Sequence, residues 1–201
     1  MNILVASDSF KGTLSSKRVG LIVKEELSHD HHVKTISVSD GGEGLIESFQ
    51  DYYPGQIREV IASDPLGREI QCQYILLSDQ KKAIIESAMI CGLPLLDVTE
   101  RNPLITSTFG LGQLMKDAVN QGVKNIFIGL GGSSTNDAGI GLLSAMGVRF
   151  FDANGYELSD LGGKALASIA SMDTTNIDAI KNEIAIQAIC DVDNPLTGNL
   201  G

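Results

Sequence analysis

The sequence predicts an α/β protein of two α/β domains, the first a parallel sheet flanked by helices and the second a mixed sheet with helices. Three observations predict it. Short β-branched runs alternate with helically spaced apolar stripes near both ends of the chain, consecutive Ile- and Val-rich runs occupy the middle, and the 22 glycines gather in a few loops.

Residues 3–7 form a short apolar run that enters Asp8-Ser9-Phe10-Lys11-Gly12, as a buried strand enters a loop. Ser15 or Ser16 caps the helix that follows, whose apolar face is Val19, Ile22, Val23 and Leu27. Val33, Ile36 and Val38 mark a second strand, running into Asp40-Gly41-Gly42-Glu43-Gly44. A second helix passes through Ile46 and Phe49 and stops before Pro54-Gly55. This is a βαβα order, which parallel sheets require.

The texture then changes. Residues 57–62, 70–77 and 83–86 read as strands, with Ser78-Asp79-Gln80 as a hairpin turn between the last two. The change near Ser63-Asp64-Pro65 sets the expected boundary: residues 1–62 in the first domain, 63–201 in the second. Helical spacing returns at Leu111, Leu114, Met115, Ala118 and Val119, closed by Gly122. A strand at 126–128 runs into Gly129-Leu130-Gly131-Gly132-Ser133-Ser134, a short helix spans about 139–146, and a last strand at 184–190 leads to Asp191-Val192-Asp193-Asn194.

Composition narrows the function. A formal net charge of −10 disfavours nucleic-acid and acidic-membrane partners, while a small anionic ligand needs only a local cationic patch. Cys72, Cys91 and Cys190 form no C-x-x-C pair and read as reduced thiols of a cytoplasmic protein. The amino terminus has no signal-peptide pattern, and no apolar run approaches membrane-span length.

Each loop after a strand's carboxyl end combines glycine with a carboxylate, hydroxyl or amide, on the edge where open α/β sheets bind ligands. The 129–134 loop is the phosphate candidate: converging backbone N–H groups, Ser133 and Ser134, and the positive end of the next helix favour an anion over a plain turn. It lacks the Gly-Lys-Ser/Thr of a Walker A loop. Lys11 is a candidate for holding an anionic substrate or phosphate, although alone it reads better as a solvated lysine. Asp8, Asp40, Glu43, Asp191 and Asp193 are the carboxylates that phosphoryl transfer needs, with their roles undivided. Glu86 is balanced between a structural ion-pair member and a site residue. His29, His31 and His32 lie in a polar connection and suggest a solvated turn, not a metal site.

Taken together, five loops resemble the motifs of the bacterial type I glycerate kinases. They are residues 8–12, 40–44, Asp64-Pro65-Leu66-Gly67-Arg68, 129–137 and 191–198, in that family's order and at comparable spacing. Asn102-Pro103 and Thr106-Ser107-Thr108-Phe109-Gly110 also fit, with Ser107 and Phe109 where Thr and Tyr are expected, and Ser134 where Ala is common. The resemblance implies ATP- and Mg²⁺-dependent phosphorylation of D-glycerate in sugar-acid or glyoxylate metabolism, in a cleft between two domains. On the motif positions it implies catalytic roles for Lys11, Asp191 and Asp8. Substrate binding falls to Ser9, Asp40, Glu43, Arg68 and Asn194, and nucleotide binding to Gly129, Gly131, Gly132, Ser133, Ser134, Asn136 and Asp137. Metal ligands stay unassigned, and homo-oligomerisation stays open.

The family usually continues past this point, so the chain reads as an amino-terminal fragment. Its first domain would be completed beyond residue 201, and the 201 residues alone are expected to be inactive. Two rival readings remain. One is a nicotinamide-dependent oxidoreductase using Gly129-x-Gly131 with Asp152 as the ribose acid, although Ser134 replaces its third glycine. The other is a non-catalytic ligand-binding module.

Overall fold

The computed structural model describes residues 1–201 except 80, 179–181, 194, 196, 197, 200 and 201. Strand β1 (Asn2–Ser7) pairs in parallel with β2 (His32–Ser37), Ile3 opposite Val33 and Ser7 opposite Ser37. Helix α1 (Ser16–Leu27) makes the crossover, with Ser15 as N-cap accepting from the Arg18 N–H. Ser16 pins both strand ends: its hydroxyl donates to Ser7 O at 2.6 Å and accepts from the Val38 N–H at 3.1 Å.

A five-stranded sheet follows, made of β3 (Gly55–Ser63), β4 (Glu69–Leu77), β5 (Lys82–Glu86), β6 (Asn125–Gly129) and β9 (Ala185–Ile189) in that spatial order. The first three strands are antiparallel, and β5, β6 and β9 are parallel. Side chains alternate between two faces, as the pleat demands. Tyr74, Ala83, Ile85, Ile126 and Ile128 join the core beneath α3 (Ala88–Cys91) and α4 (Phe109–Asn120). Ile75, Ile84, Phe127 and Ile189 face α2 (Leu45–Gln50) through Leu45, Ile46 and Phe49. On the first face, Asp117 of α4 accepts from Arg58 Nη2 at 3.0 Å and from the Tyr74 hydroxyl at 2.8 Å, fastening helix to sheet.

The composition change at Ser63 proves to be the β3–β4 turn. β3 pairs with β4 along its whole length, from Gly55 opposite Leu77 to Ser63 opposite Glu69, so the mixed sheet starts at Gly55. Helix α2 packs on that sheet too, although it follows the β1–α1–β2 unit in sequence.

Helix α5 (Ile140–Met146) leads to β7 (Arg149–Phe151), which pairs antiparallel with β8 (Ser171–Asp173) over a small core of Ile140, Val148, Phe150 and Leu161. This overturns the oxidoreductase reading. A dinucleotide fold needs the strand after the glycine loop's helix to lie parallel in the same sheet. Here β7 lies outside that sheet, and Asp152 accepts the Asn154 and Tyr156 N–H groups as a turn former.

Candidate active site

Loops from both parts of the chain meet at the carboxyl edge of β5, β6 and β9. Gly129 and Gly131 have no room for a side chain. A Cβ on Gly129 would collide with Gly41 O, and one on Gly131 would lie 2.5 Å from Gly42 Cα. The Gly131 N–H donates to Gly41 O at 3.1 Å, and the Leu130 N–H to Ile189 O at 3.1 Å. Much of the glycine clustering therefore serves backbone-to-backbone packing of the 40–44 loop on the 129–131 loop.

Gly132 differs. Its φ is +71°, its absent Cβ would meet only Ala88 Cβ at 3.6 Å, and it faces a cleft of about 950 Å³. Among the described residues, neither the Gly132 nor the Ser133 N–H has a backbone acceptor, whereas the Ser134 N–H is taken by Cys91 O at 2.7 Å. The Ser134 hydroxyl also donates to Cys91 O at 2.8 Å, while the exposed Ser133 hydroxyl lies 2.8 Å from that of Thr135.

Lys11, Glu43, Glu47, Glu86, Arg101 and Gly132 all line this cleft. The Lys11 ammonium, three-quarters exposed, lies 3.5 Å from Asp40 Oδ2, and Asp40 Oδ1 accepts the Gly42 N–H at 2.8 Å, shaping its own loop. Glu86 forms the cleft's buried floor, 3% exposed, and its two oxygens accept the Gly44 and Ile46 N–H groups, each at 3.1 Å. Desolvation is the main influence on this carboxyl and raises its pKa above the usual range, while the two N–H groups oppose the rise. Glu86 therefore belongs to no ion pair among the described residues; it holds the start of α2.

The remaining predicted residues fall elsewhere. Ser9 lines a recess adjoining the cleft through Gly12, Glu43 and Gly44. Asp8 accepts the Ser9 N–H at 2.7 Å and does not line the cleft. Asp191 and Asp193 are exposed after β9, again outside the cleft lining, and Asn194 lies outside the described residues. Arg68 is held by Asp64 and Glu100. Asn136 is exposed. Asp137 is 1% exposed, and its carboxylate accepts from the Thr108, Gly139 and Gly141 N–H groups. It thereby occupies the amino end of α5, the helix terminus expected from the sequence to face a phosphate.

Arg101, like Glu47, is a cleft residue that the sequence does not single out. It follows a turn, Val98–Glu100, with no glycine or strand end to flag it, and only tertiary contacts bring it to the cleft. Cys72 and Cys91 are buried free thiols, pushed up to about 11 and about 12 by desolvation, and Cys190 is free and exposed. No helix among the described residues is long and apolar enough to cross a membrane.

Fold and cleft define an α/β protein with a glycine loop and two basic side chains around one ligand-sized opening. The sequence model of the Glycerate kinase family matches residues 3–201. The chain belongs to the glycerate kinase family. It is 38% identical to the glycerate kinase of Bacillus subtilis (strain 168), covering all of this chain and 53% of that protein. It is 36% identical to the glycerate 2-kinase of Escherichia coli (strain K12), again covering all of this chain and 53% of the relative. A crystal structure of a candidate glycerate kinase 2 from Salmonella typhimurium LT2 superimposes with a TM-score of 0.83 at 37% identity, over 100% of this chain and 54% of that one. The chain thus spans about half the length of the curated relatives it matches.

Proposed function

We propose that this chain contributes the ligand-binding cleft of a cytoplasmic kinase that transfers the γ-phosphoryl group of ATP to a hydroxyl of D-glycerate. The observation that carries the reading is the meeting of the Gly132 turn with Lys11 and Glu43 at one cleft on the carboxyl edge of the parallel strands. Phosphoryl transfer depends mainly on positioning and on fixed charge, which such a cleft supplies.

The residues fit a nucleotide phosphate at Gly132 and Ser133, where N–H groups are available and backbone can approach closely. Among the described residues no group of three His, Cys, Asp or Glu side chains is disposed to hold a metal ion. Mg²⁺ bound through nucleotide phosphates needs only one or two protein carboxylates, and when bound it neutralises phosphate charge. In this reading Lys11 offsets charge on the transferring group, and Asp8 and Asp191 are the catalytic carboxylates, with the metal ligands unassigned.

The test is glycerate-dependent consumption of ATP, with the product's phosphate position read by phosphorus NMR. Relatives named for this activity are nearly twice as long, so the 201 residues alone are proposed to turn over little, and kinetics belong in a chain of family length. There, Lys11→Ala and Asp191→Asn are each expected to lower kcat by about 100-fold, as loss of a transition-state charge does. Rates within a few-fold of the parent would return both to the solvated surface.

Gly132→Val is expected to weaken ATP binding by about 10-fold or more, by blocking backbone approach and straining a positive φ. The readout is an ATP titration of the folded variant. Parent-like affinity would move the phosphates away from this turn.

A further inference from the structure

Among the described residues, Lys11 and Arg101 are the basic side chains that line the cleft, which also carries Glu43, Glu47 and Glu86 in a chain of net charge −10. An anionic ligand entering beside three carboxylates needs fixed cations against it. Lys11 already has Asp40 beside it, whereas Arg101 has no ion-pair partner among the described residues.

The segment that delivers Arg101 is tied down at both ends. Arg68 donates from Nη1 to Glu100 Oε1 at 2.8 Å, from Nη2 to Leu95 O at 3.2 Å and from Nε to Asp64 Oδ2 at 2.5 Å. Asp64 is itself buried and accepts the Leu66 and Arg68 N–H groups. Glu100 Oε2 accepts the Asp97 N–H at 3.1 Å, closing the turn that ends at Arg101. At the other end, the Leu93 N–H donates to Gly132 O at 3.0 Å. One stretch of chain, 93–101, therefore spans from the Arg68 turn to the glycine loop, with Leu93, Pro94 and Arg101 lining the cleft.

We infer that Arg101 binds the carboxylate of the acceptor, with Arg68 and Glu100 as its positioning residues; this rests on the proposed acceptor being a small hydroxy acid. A guanidinium presents two parallel N–H donors to a carboxylate, while an ammonium such as that of Lys11 acts as a point charge suited to a phosphoryl group. Arg68 then serves the substrate indirectly, by fixing the segment that carries Arg101.

The experiment titrates D-glycerate, its neutral amide and, separately, ATP into a chain of family length, followed by NMR. Arg101→Gln is expected to weaken D-glycerate binding by about 10- to 100-fold, the worth of charge-assisted hydrogen bonds, and to erase the preference for acid over amide. Arg101→Lys retains part of that preference, and ATP affinity stays unchanged. Glu100→Gln keeps the turn's acceptor but loses charge towards Arg68; it weakens D-glycerate binding, and adds nothing in the Arg101→Gln background. Parent-like D-glycerate binding by Arg101→Gln would overturn the inference. So would a parent with no preference for the acid, or a loss that falls on ATP. Absence of ATP consumption in a chain of family length would overturn the kinase reading alone, leaving an acid preference lost in Arg101→Gln as support for the carboxylate site.

Discussion

Asp137→Ala is expected to destabilise the protein by about 3–5 kcal/mol, through loss of acceptors for buried donors. Asp137 Oδ2 accepts the Thr108 N–H at 2.7 Å, the Thr108 hydroxyl at 2.8 Å and the Gly141 N–H at 3.3 Å, while Oδ1 accepts the Gly139 N–H at 3.0 Å. Thr108 Oγ1 in turn accepts the Leu142 N–H at 2.9 Å. One carboxylate thus joins the amino ends of α4 and α5, where unpaired N–H groups and both helix dipoles favour negative charge. Removing it strands these donors at a site 1% exposed. Total stability of a domain this size is about 5–15 kcal/mol, so urea unfolding would show a much lower midpoint. Asp137→Asn, which keeps one oxygen, should fall between. An unchanged midpoint with weakened ATP binding would instead give Asp137 a direct nucleotide role.

The contrast between Asp137 and Gly132 shows what was legible in the sequence. Strands β4, β5 and β6 were readable because burial on alternating faces writes Ile and Val into the chain at a period of two. Helix α4 was readable for the matching reason, its apolar stripe and closing Gly122. The glycine loops were readable as places of close approach, but not as to what approaches. Gly131 meets the backbone of Gly42 while Gly132 faces the cleft, and nothing local distinguishes the two. Arg68 marks the same limit. The sequence around Arg68 gives no sign of its partners Glu100 and Leu95, which come from a distant segment. The β3–β4 pairing is hidden similarly, because it is a register fact and composition changes only at the turn between the two strands.

Glu86→Leu is expected to cost about 2–4 kcal/mol and to loosen the 40–44 loop, because the Gly44 and Ile46 N–H groups lose their common acceptor at a buried position. Glu86→Gln separates charge from hydrogen bonding, since its amide oxygen satisfies one N–H but its NH₂ cannot accept from the other. Comparing parent with Glu86→Gln over pH isolates the titration. Burial raises the folded-state pKa of Glu86 above its unfolded value near 4.5, so the folded state holds the proton more tightly than the unfolded one. The stabilising contribution is full below that unfolded value and is lost as pH rises through the folded pKa. The parent should therefore gain stability relative to Glu86→Gln on acidification across that window, with the difference flat above it. Acid-sensitive carboxylates elsewhere, such as Asp117 beside Arg58, titrate alike in both proteins and cancel. A difference that falls on acidification would mean that the two N–H groups outweigh desolvation and hold Glu86 ionised.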